Sequence, residues 1–128
     1  MKIEKIDIDE LTADPSNVRK HDEKNLHAIQ ASLKKFGQQK PIVIDGDGIV
    51  IAGNGTLASA QALGWKKIEA VRTKLKGAEA IAFAIADNRT AELAVWDEEA
   101  LAKTLAALQN DDSIDETVSG FSDKDIEE

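Results

Sequence analysis

Two short β-branched runs, and the glycine-rich turn that follows them, constrain the fold of this chain most. Residues 41–44 and 49–52 flank an Asp-Gly-Asp-Gly sequence at 45–48, a pattern that predicts a β-hairpin. Gly-Asn-Gly-Thr follows at 53–56, and the alanine-rich residues 57–63 are typical of a helix. A chain that passes from a hairpin through two glycines directly into a helix mixes both kinds of secondary structure.

The flanking segments predict the remaining elements of the fold. A strand is expected over about residues 2–7, a turn at 12–17, and a helix from an Asp22 cap to Phe36, with Gly37 as its stop. A further strand at 67–71, a helix at 77–93, and a helix capped by Asp97 complete the order. This order predicts a single α+β (mixed α/β) domain, with a small mixed sheet and flanking helices.

Length and composition narrow the class of protein. The 128 residues suit one domain, and the absence of cysteine excludes disulfides, thiolate zinc sites and a cysteine nucleophile. No run approaches the roughly 18 apolar residues of a membrane span, and the N-terminus lacks a signal-peptide pattern. We therefore expect a cytoplasmic protein that does not bind membranes. Its core should be Ile, Val and Leu, with four larger pieces: Phe36, Trp65, Phe83 and Trp96.

Charge divides the chain into two parts. The net charge is −8, but residues 97–128 hold 11 acids and 2 bases, whereas residues 1–96 hold 13 acids and 14 bases. We therefore expect a domain over 1–96 and a C-terminal acidic helical extension over 97–128. A helix start at 120–128, with Ser122 as a good N-cap, indicates either a fraying end or truncation from a longer protein.

The turn at 53–56 carries the clearest chemistry. The first N–H groups of a helix lack intrahelical partners and add partial positive charge, and glycines let an anion approach that backbone closely. Gly53, Asn54, Gly55 and Thr56 are therefore candidate phosphate ligands, although plain turn chemistry explains the same pattern. The sequence is neither a Walker loop nor a GxGxxG fingerprint.

Several segments in order resemble the ParB/sulfiredoxin superfamily. Residues 6–19 are similar to its opening strand and proline-asparagine loop, and Gly-Gln-Gln-Lys-Pro-Ile-Val-Ile at 37–44 resembles the ParB box Gly-x-x-Gln-Pro-Ile-Val-Val. Gly-Asn-Gly-Thr at 53–56 falls where ParB has Gly-Glu-Arg-Arg, and residues 86–93 resemble the third box, Glu-Asn-x-x-Arg. Together these boxes identify the chain as a member of that superfamily.

The resemblance implies a nucleotide site with two departures. Gly55 and Thr56 replace both arginines of the ParB phosphate motif, and charge-assisted bonds from arginine are among the strongest phosphate contacts. Sulfiredoxin needs a cysteine at the place of Asn54, so its redox activity is excluded. We expect a nucleotide (ATP, ADP or CTP) with Mg2+ as the ligand.

Four further residues complete the nucleotide site implied by the resemblance: Arg19, Gln39, Asn88 and Arg89. Asp87 is the implied metal ligand, because carboxylate and amide oxygens suit Mg2+. The helix start at 53–57 should then face a concave surface shared with Arg19 and residues 87–89. The alternative for this segment is a surface helix in which Arg89 pairs with Asp87 or Glu92.

A basic group surrounds the strand at 67–71. Lys66, Lys67, Lys74 and Lys76 are candidate DNA-phosphate contacts. Lysines along a strand also block edge-to-edge pairing, which is the alternative explanation.

The resemblance extends to ParB-like domains at the front of phage or mobile-element DNA methyltransferases of the N4/N6 type. It implies a nucleotide- or phosphate-binding module for DNA modification or segregation, with binding favoured over catalysis. DNA would be reached through the parent protein or a partner, and a homodimer is a further expected assembly. One alternative is a metal-dependent nuclease, using Asp14, Asp87 and Glu92, or an ATP- or CTP-using phosphotransferase. A protein-interaction module that uses the acidic tail is another.

Overall fold

A five-stranded mixed sheet organises the domain. The computed structural model describes residues 2–15, 22–114 and 119–121. The strands are β1 (Ile3–Asp7), β2 (Thr12–Ala13), β3 (Ile42–Ile44), β4 (Ile49–Ala52) and β5 (Lys67–Arg72). The helices are α1 (Glu23–Phe36), α2 (Asn54–Ala62), α3 (Ala78–Leu93) and α4 (Glu98–Gln109), and a 3-10 turn follows β1 at Ile8–Glu10.

The sheet has the strand order β1-β5-β3-β4-β2. β1 and β5 pair antiparallel, as do β3 and β4, whereas β3 pairs parallel with β5, and β2 pairs parallel with β4. The predicted hairpin is confirmed as β3–β4, and the mixed sheet confirms the α+β class. Strand β2 lies where the sequence predicted a turn, because a strand of two residues has no periodicity to detect.

The predicted helix caps are confirmed at α1 and α4. The Asp22 carboxylate accepts a hydrogen bond from the Asn25 N–H at 2.8 Å, and that of Asp97 accepts one from the Ala100 N–H at 3.0 Å. Each bond satisfies a donor that the first helical turn leaves without an acceptor. Gly37 ends α1 at φ +74°. The predicted N-cap Ser122 lies outside the described residues.

The core lies between the sheet and the pair α1 and α2. Ile44, Val50 and Ile68 of the sheet are essentially inaccessible to solvent. They pack with Leu33 of α1 and Leu57 of α2. Ser59 lies fully buried where the two helices meet, with its hydroxyl 3.4 Å from the Leu26 carbonyl oxygen.

The prediction that four aromatic residues belong to the core is confirmed for Trp65, which packs against the core cluster, and is wrong for Phe36 and Trp96. Trp96 is 66% exposed and Phe36 is 42% exposed, while Trp65 and Phe83 are only partly buried. The strands are three to six residues long at the centre of the sheet, and two helices with small contact residues cover them. Ile, Val, Leu and Ala side chains fill this thin layer, so the rings remain at its margins.

Helix α3 contributes no buried residue, although it contacts β4. Ile81 and Ile85 on it are each about half exposed, and Leu93, Val95 and Trp96 beyond them are more so. None of the helices in the described part of the chain is long and apolar enough to cross a membrane.

Candidate functional site: the cleft at the start of α2

Gly53 fixes the path of the chain from β4 into α2. Its φ is +103°, a conformation that L side chains rarely adopt. A Cβ at this position would lie 2.5 Å from Cγ2 and 2.9 Å from Cβ of Ile42. Only glycine therefore lets the start of α2 pass so closely over the first residue of β3, and this contact joins two segments of the ParB-like pattern.

The first turn of α2 presents backbone donors without a side-chain cap. Gly53 offers no side chain to accept them, and the N–H groups of Asn54, Gly55 and Thr56 have no acceptor within the helix. The helix macrodipole adds partial positive charge at the same end. This geometry suits an oxyanion.

The side chain of Asn54 has a structural task. Its Oδ1 accepts a hydrogen bond from the Asp14 N–H at 3.1 Å, and its Nδ2 donates to the Val50 carbonyl oxygen at 3.0 Å. Asn54 thus ties the segment after β2 to β4 and to the start of α2. An anion would meet its backbone N–H, since both polar ends of its side chain are engaged.

A cleft of about 320 Å³ opens beside Thr56. One wall is α1, through Ala28, Ser32 and Leu33, and a second is the loop at 37–40 before β3. Ser119 and Gly120 form part of the remaining boundary. The cleft combines an apolar helix face with the Thr56 hydroxyl, a helix start and Lys40, which is the combination expected of a small-molecule site.

Gln38 holds the loop of this cleft against the sheet. Its Nε2 donates to the carbonyl oxygens of Glu69, at 2.8 Å, and Lys40, at 3.1 Å, while its Oε1 accepts from the Glu69 N–H at 2.8 Å. Pairing of β3 with β5 begins at Ile42 and Ala70, so the Gln38 amide takes the place of a backbone partner one residue earlier. It thereby extends the sheet to the cleft.

The predicted nucleotide ligands are placed unevenly. Thr56 and Gln39 both line the cleft, but the Gln39 Nε2 donates to the Phe36 carbonyl oxygen at the end of α1. Arg19 lies outside the described residues. Gly55 is buried in the first turn of α2. Their roles as phosphate ligands stay predictions.

The segment Asp87–Arg89 lies on α3. Arg89 Nη1 is 3.7 Å from Glu92 Oε2, in an exposed pair that corresponds to the surface alternative considered above. Asp87 is exposed and Asn88 half-buried. Within the described ranges, none of the three lines the cleft beside Thr56. Whether they share a concave surface with the start of α2 stays a prediction.

The four candidate DNA-contact lysines lie at the two ends of β5. Lys66 precedes the strand and Lys67 begins it, whereas Lys74 and Lys76 follow it. The strand between these two pairs has six residues, or about 20 Å. Lys67 is 3.7 Å from Asp7 of the neighbouring strand. The other two line a pocket of about 670 Å³ together with Asp45 and Asp47, so acids accompany them.

Sequence reasoning missed the α1 side of the cleft. Ala28 and Ser32 are small residues one helical turn apart, among larger apolar residues, and that spacing was an available signal. The contribution of Ser119 and Gly120 had no signal, because they lie far along the chain. Hydrogen bonds from Ser113 lower the pKa of the Asp111 carboxyl, which is after α4 and not in the cleft.

The described part of the chain holds no cluster of side chains that would bind a metal ion. Across residues 2–15, 22–114 and 119–121 no group of three His, Asp or Glu side chains is placed to hold an ion. The phosphates of a nucleotide commonly supply oxygen ligands to Mg2+.

The fold is thus an α+β domain with a mixed sheet, in which a glycine turn starts a helix beside a cleft. Residues 1–89 match the ParB N-terminal domain model, so the chain belongs to the ParB N-terminal domain family. Among curated proteins no sequence match is found.

Solved structures of low sequence identity share this fold. One is C-terminally truncated chromosome-partitioning protein ParB from Caulobacter crescentus complexed with CTP-gamma-S, with TM-score 0.81, 19% identity, 98% of this chain and 75% of that chain covered. The same protein complexed to the centromeric parS site matches with a TM-score of 0.58 and 18% identity, and the match covers 98% of this chain and 65% of that chain. Sulfiredoxin from Arabidopsis thaliana matches with a TM-score of 0.54 and 19% identity, and the match covers 66% of this chain and 98% of that chain. These likenesses show that the chain shares its fold with ParB and sulfiredoxin.

Proposed function

We propose that this domain binds the phosphates of a nucleotide (CTP, ATP or ADP), with Mg2+, at the start of α2. The observation that carries the proposal is the uncapped first turn of α2, which reaches the cleft at Thr56. Backbone donors and a hydroxyl at a helix start are suited to phosphate oxygens. Lys40 at the rim adds a positive charge.

Family membership supports the choice of nucleotide. CTP comes first, because the ParB structure that superposes best of those described above is complexed with CTP-gamma-S. The absence of arginine at 55 and 56 removes two charge-assisted phosphate contacts. We therefore expect affinities from micromolar to millimolar, or about −8 to −4 kcal/mol.

A thermal-shift and calorimetric titration tests the proposal. A nucleotide that binds only the folded state stabilises it by RT ln(1 + [L]/Kd), so about 5 mM CTP with a Kd of about 50 μM adds about 2.7 kcal/mol. CTP, ATP, ADP and GTP are compared with and without Mg2+. Cytidine without phosphates is the control, since the proposal places the contacts on the phosphates. No stabilisation by any of the four nucleotides at this concentration would contradict it.

We further propose that the domain serves DNA modification or segregation as a binding module of a larger protein. The resemblance to the front domains of phage or mobile-element methyltransferases supports the first role, and family membership supports the second. The test is to purify the full-length product of the coding gene and measure methyl transfer to DNA. Incubation of DNA with the same protein and Mg2+, followed by a measurement of strand cleavage, tests the nuclease alternative. In the described part of the chain, no cluster of carboxylates is placed to hold the metal ion of a nuclease.

A further inference from the structure

The segment Ser119–Phe121 returns to the candidate site from the far end of the chain. Ser119 and Gly120 are part of the boundary of the cleft that Thr56 also lines. Gly120 has a φ of +97°, so the chain turns sharply at the cleft. Phe121 follows at once and is partly buried.

An aromatic contact anchors this segment. The rings of Phe121 and Trp96 meet edge to face, with centroids 5.5 Å apart and an interplanar angle of 66°. Such pairs are favourable beyond the area they bury. Trp96 lies between α3 and α4 and is otherwise mostly exposed, so the contact links that junction to the cleft.

With the segment in place the cleft is small. Its volume of about 320 Å³ is near the lower limit of ligand sites, which run from about 300 to 1,000 Å³. The described residues of the segment therefore limit the room for a ligand beside Thr56.

We propose that Ser119–Phe121 is an autoinhibitory strap, which narrows the cleft while the Phe121–Trp96 contact holds it. A phosphate-bearing ligand enters fully only when the strap leaves, so ligand binding and the ring contact oppose each other. By linkage the opposition is reciprocal: occupation of the cleft releases Trp96, and loss of the ring contact strengthens ligand binding. The role as a nucleotide gate rests on the function proposed above, whereas the covering of the cleft does not.

The first arm of the test measures access to the cleft without any ligand. The chain has no cysteine, so Ser32→Cys places a single thiol in the cleft wall, and Ala31→Cys places one on the exposed face next to it. Labelling by a maleimide is timed for each, with and without Phe121→Ala. Loss of an edge-to-face ring pair should raise the labelling rate at position 32 about two- to tenfold, and leave position 31 unchanged.

The second arm measures CTP and ATP binding by calorimetry in the full chain, in Phe121→Ala and in Trp96→Ala. Both variants remove the same contact from opposite sides, so each should tighten binding about two- to tenfold, and the double variant should add little to either. Trp96 emission, followed in a Trp65→Phe background, should shift as nucleotide is added. Circular dichroism checks that each variant remains folded.

The outcomes separate the two proposals. Equal labelling at position 32 with and without Phe121 overturns the strap, even if nucleotide binds. Faster labelling, with no nucleotide bound by any variant, supports the strap as a cover of the cleft and overturns the nucleotide function. Faster labelling with unchanged nucleotide affinity overturns the inhibitory role.

Discussion

Replacing Gly53 by alanine perturbs the start of α2 at its tightest contact. Two costs are expected. A non-glycine residue at positive φ costs roughly 1–2 kcal/mol, and forcing a methyl group against packed atoms costs typically about 1–3 kcal/mol. The new methyl group would meet Cγ2 and Cβ of Ile42, and the latter is close to the backbone and cannot rotate away. The expected loss of unfolding free energy is therefore about 2–5 kcal/mol.

Gly64→Ala is the matched control, at the other end of the same helix. Gly64 has a φ of +79°, but a Cβ there would meet nothing within 4 Å. It therefore carries the conformational cost without the clash, and both substitutions restrict the unfolded chain equally. The difference between the two variants, about 1–3 kcal/mol, isolates the contact with Ile42.

Urea unfolding followed by circular dichroism measures both variants. With an m-value of about 2 kcal/mol/M, a loss of 3 kcal/mol lowers the midpoint by about 1.5 M. If the two variants unfold within about 0.5 kcal/mol of each other, the close approach of Gly53 to Ile42 does not constrain the fold, and the reasoning is wrong. A domain of ordinary stability, about 5–15 kcal/mol, leaves room for either result.

Three further predictions concern the loop, the site and the tail. Gln38→Ala should lower the free energy of unfolding in urea by about 1–3 kcal/mol, because it leaves the N–H and the carbonyl of Glu69 without their Gln38 partners. The control Gln61→Ala, at an exposed position, should lower it little. Equal losses in the two variants would contradict this prediction. Thr56→Arg should tighten CTP binding about tenfold in calorimetry, because it adds a charge-assisted phosphate contact. Thr104→Arg is the control: it adds the same charge at an exposed position of α4 and should not tighten binding. Equal gains in affinity would indicate a general charge effect. The isolated chain should bind duplex DNA poorly at physiological salt, because the excess of acidic residues from 97 onwards repels DNA over roughly 8 Å. Neutralising part of this acidic charge should strengthen binding at low salt in a fluorescence titration. The neutralising substitutions are Glu98→Gln, Glu99→Gln and Asp112→Asn. Tight DNA binding at physiological salt that these substitutions leave unchanged would refute the electrostatic argument.

The sequence by itself determined the local structure. The caps Asp22 and Asp97, the β3–β4 hairpin and the entry of β4 into α2 each depend on residues within about four positions of one another, and all are present. Interactions of this range leave a pattern in neighbouring letters, since turn and cap preferences are properties of single residues and their immediate backbone. The phosphate-binding hypothesis at 53–56 came from the same kind of signal.

Tertiary structure alone decided how these pieces meet. The Asn54–Asp14 bond spans 40 positions and the Gln38–Glu69 bonds span 31, and neither partner's own neighbours predict the other. The parallel pairing of β2, the exposure of Trp96 and the return of residues 119–121 to the cleft depend likewise on which surfaces come together. A short stretch of sequence does not reveal such contacts, because the packing of the whole sheet and its helices decides which residues are buried and which approach one another.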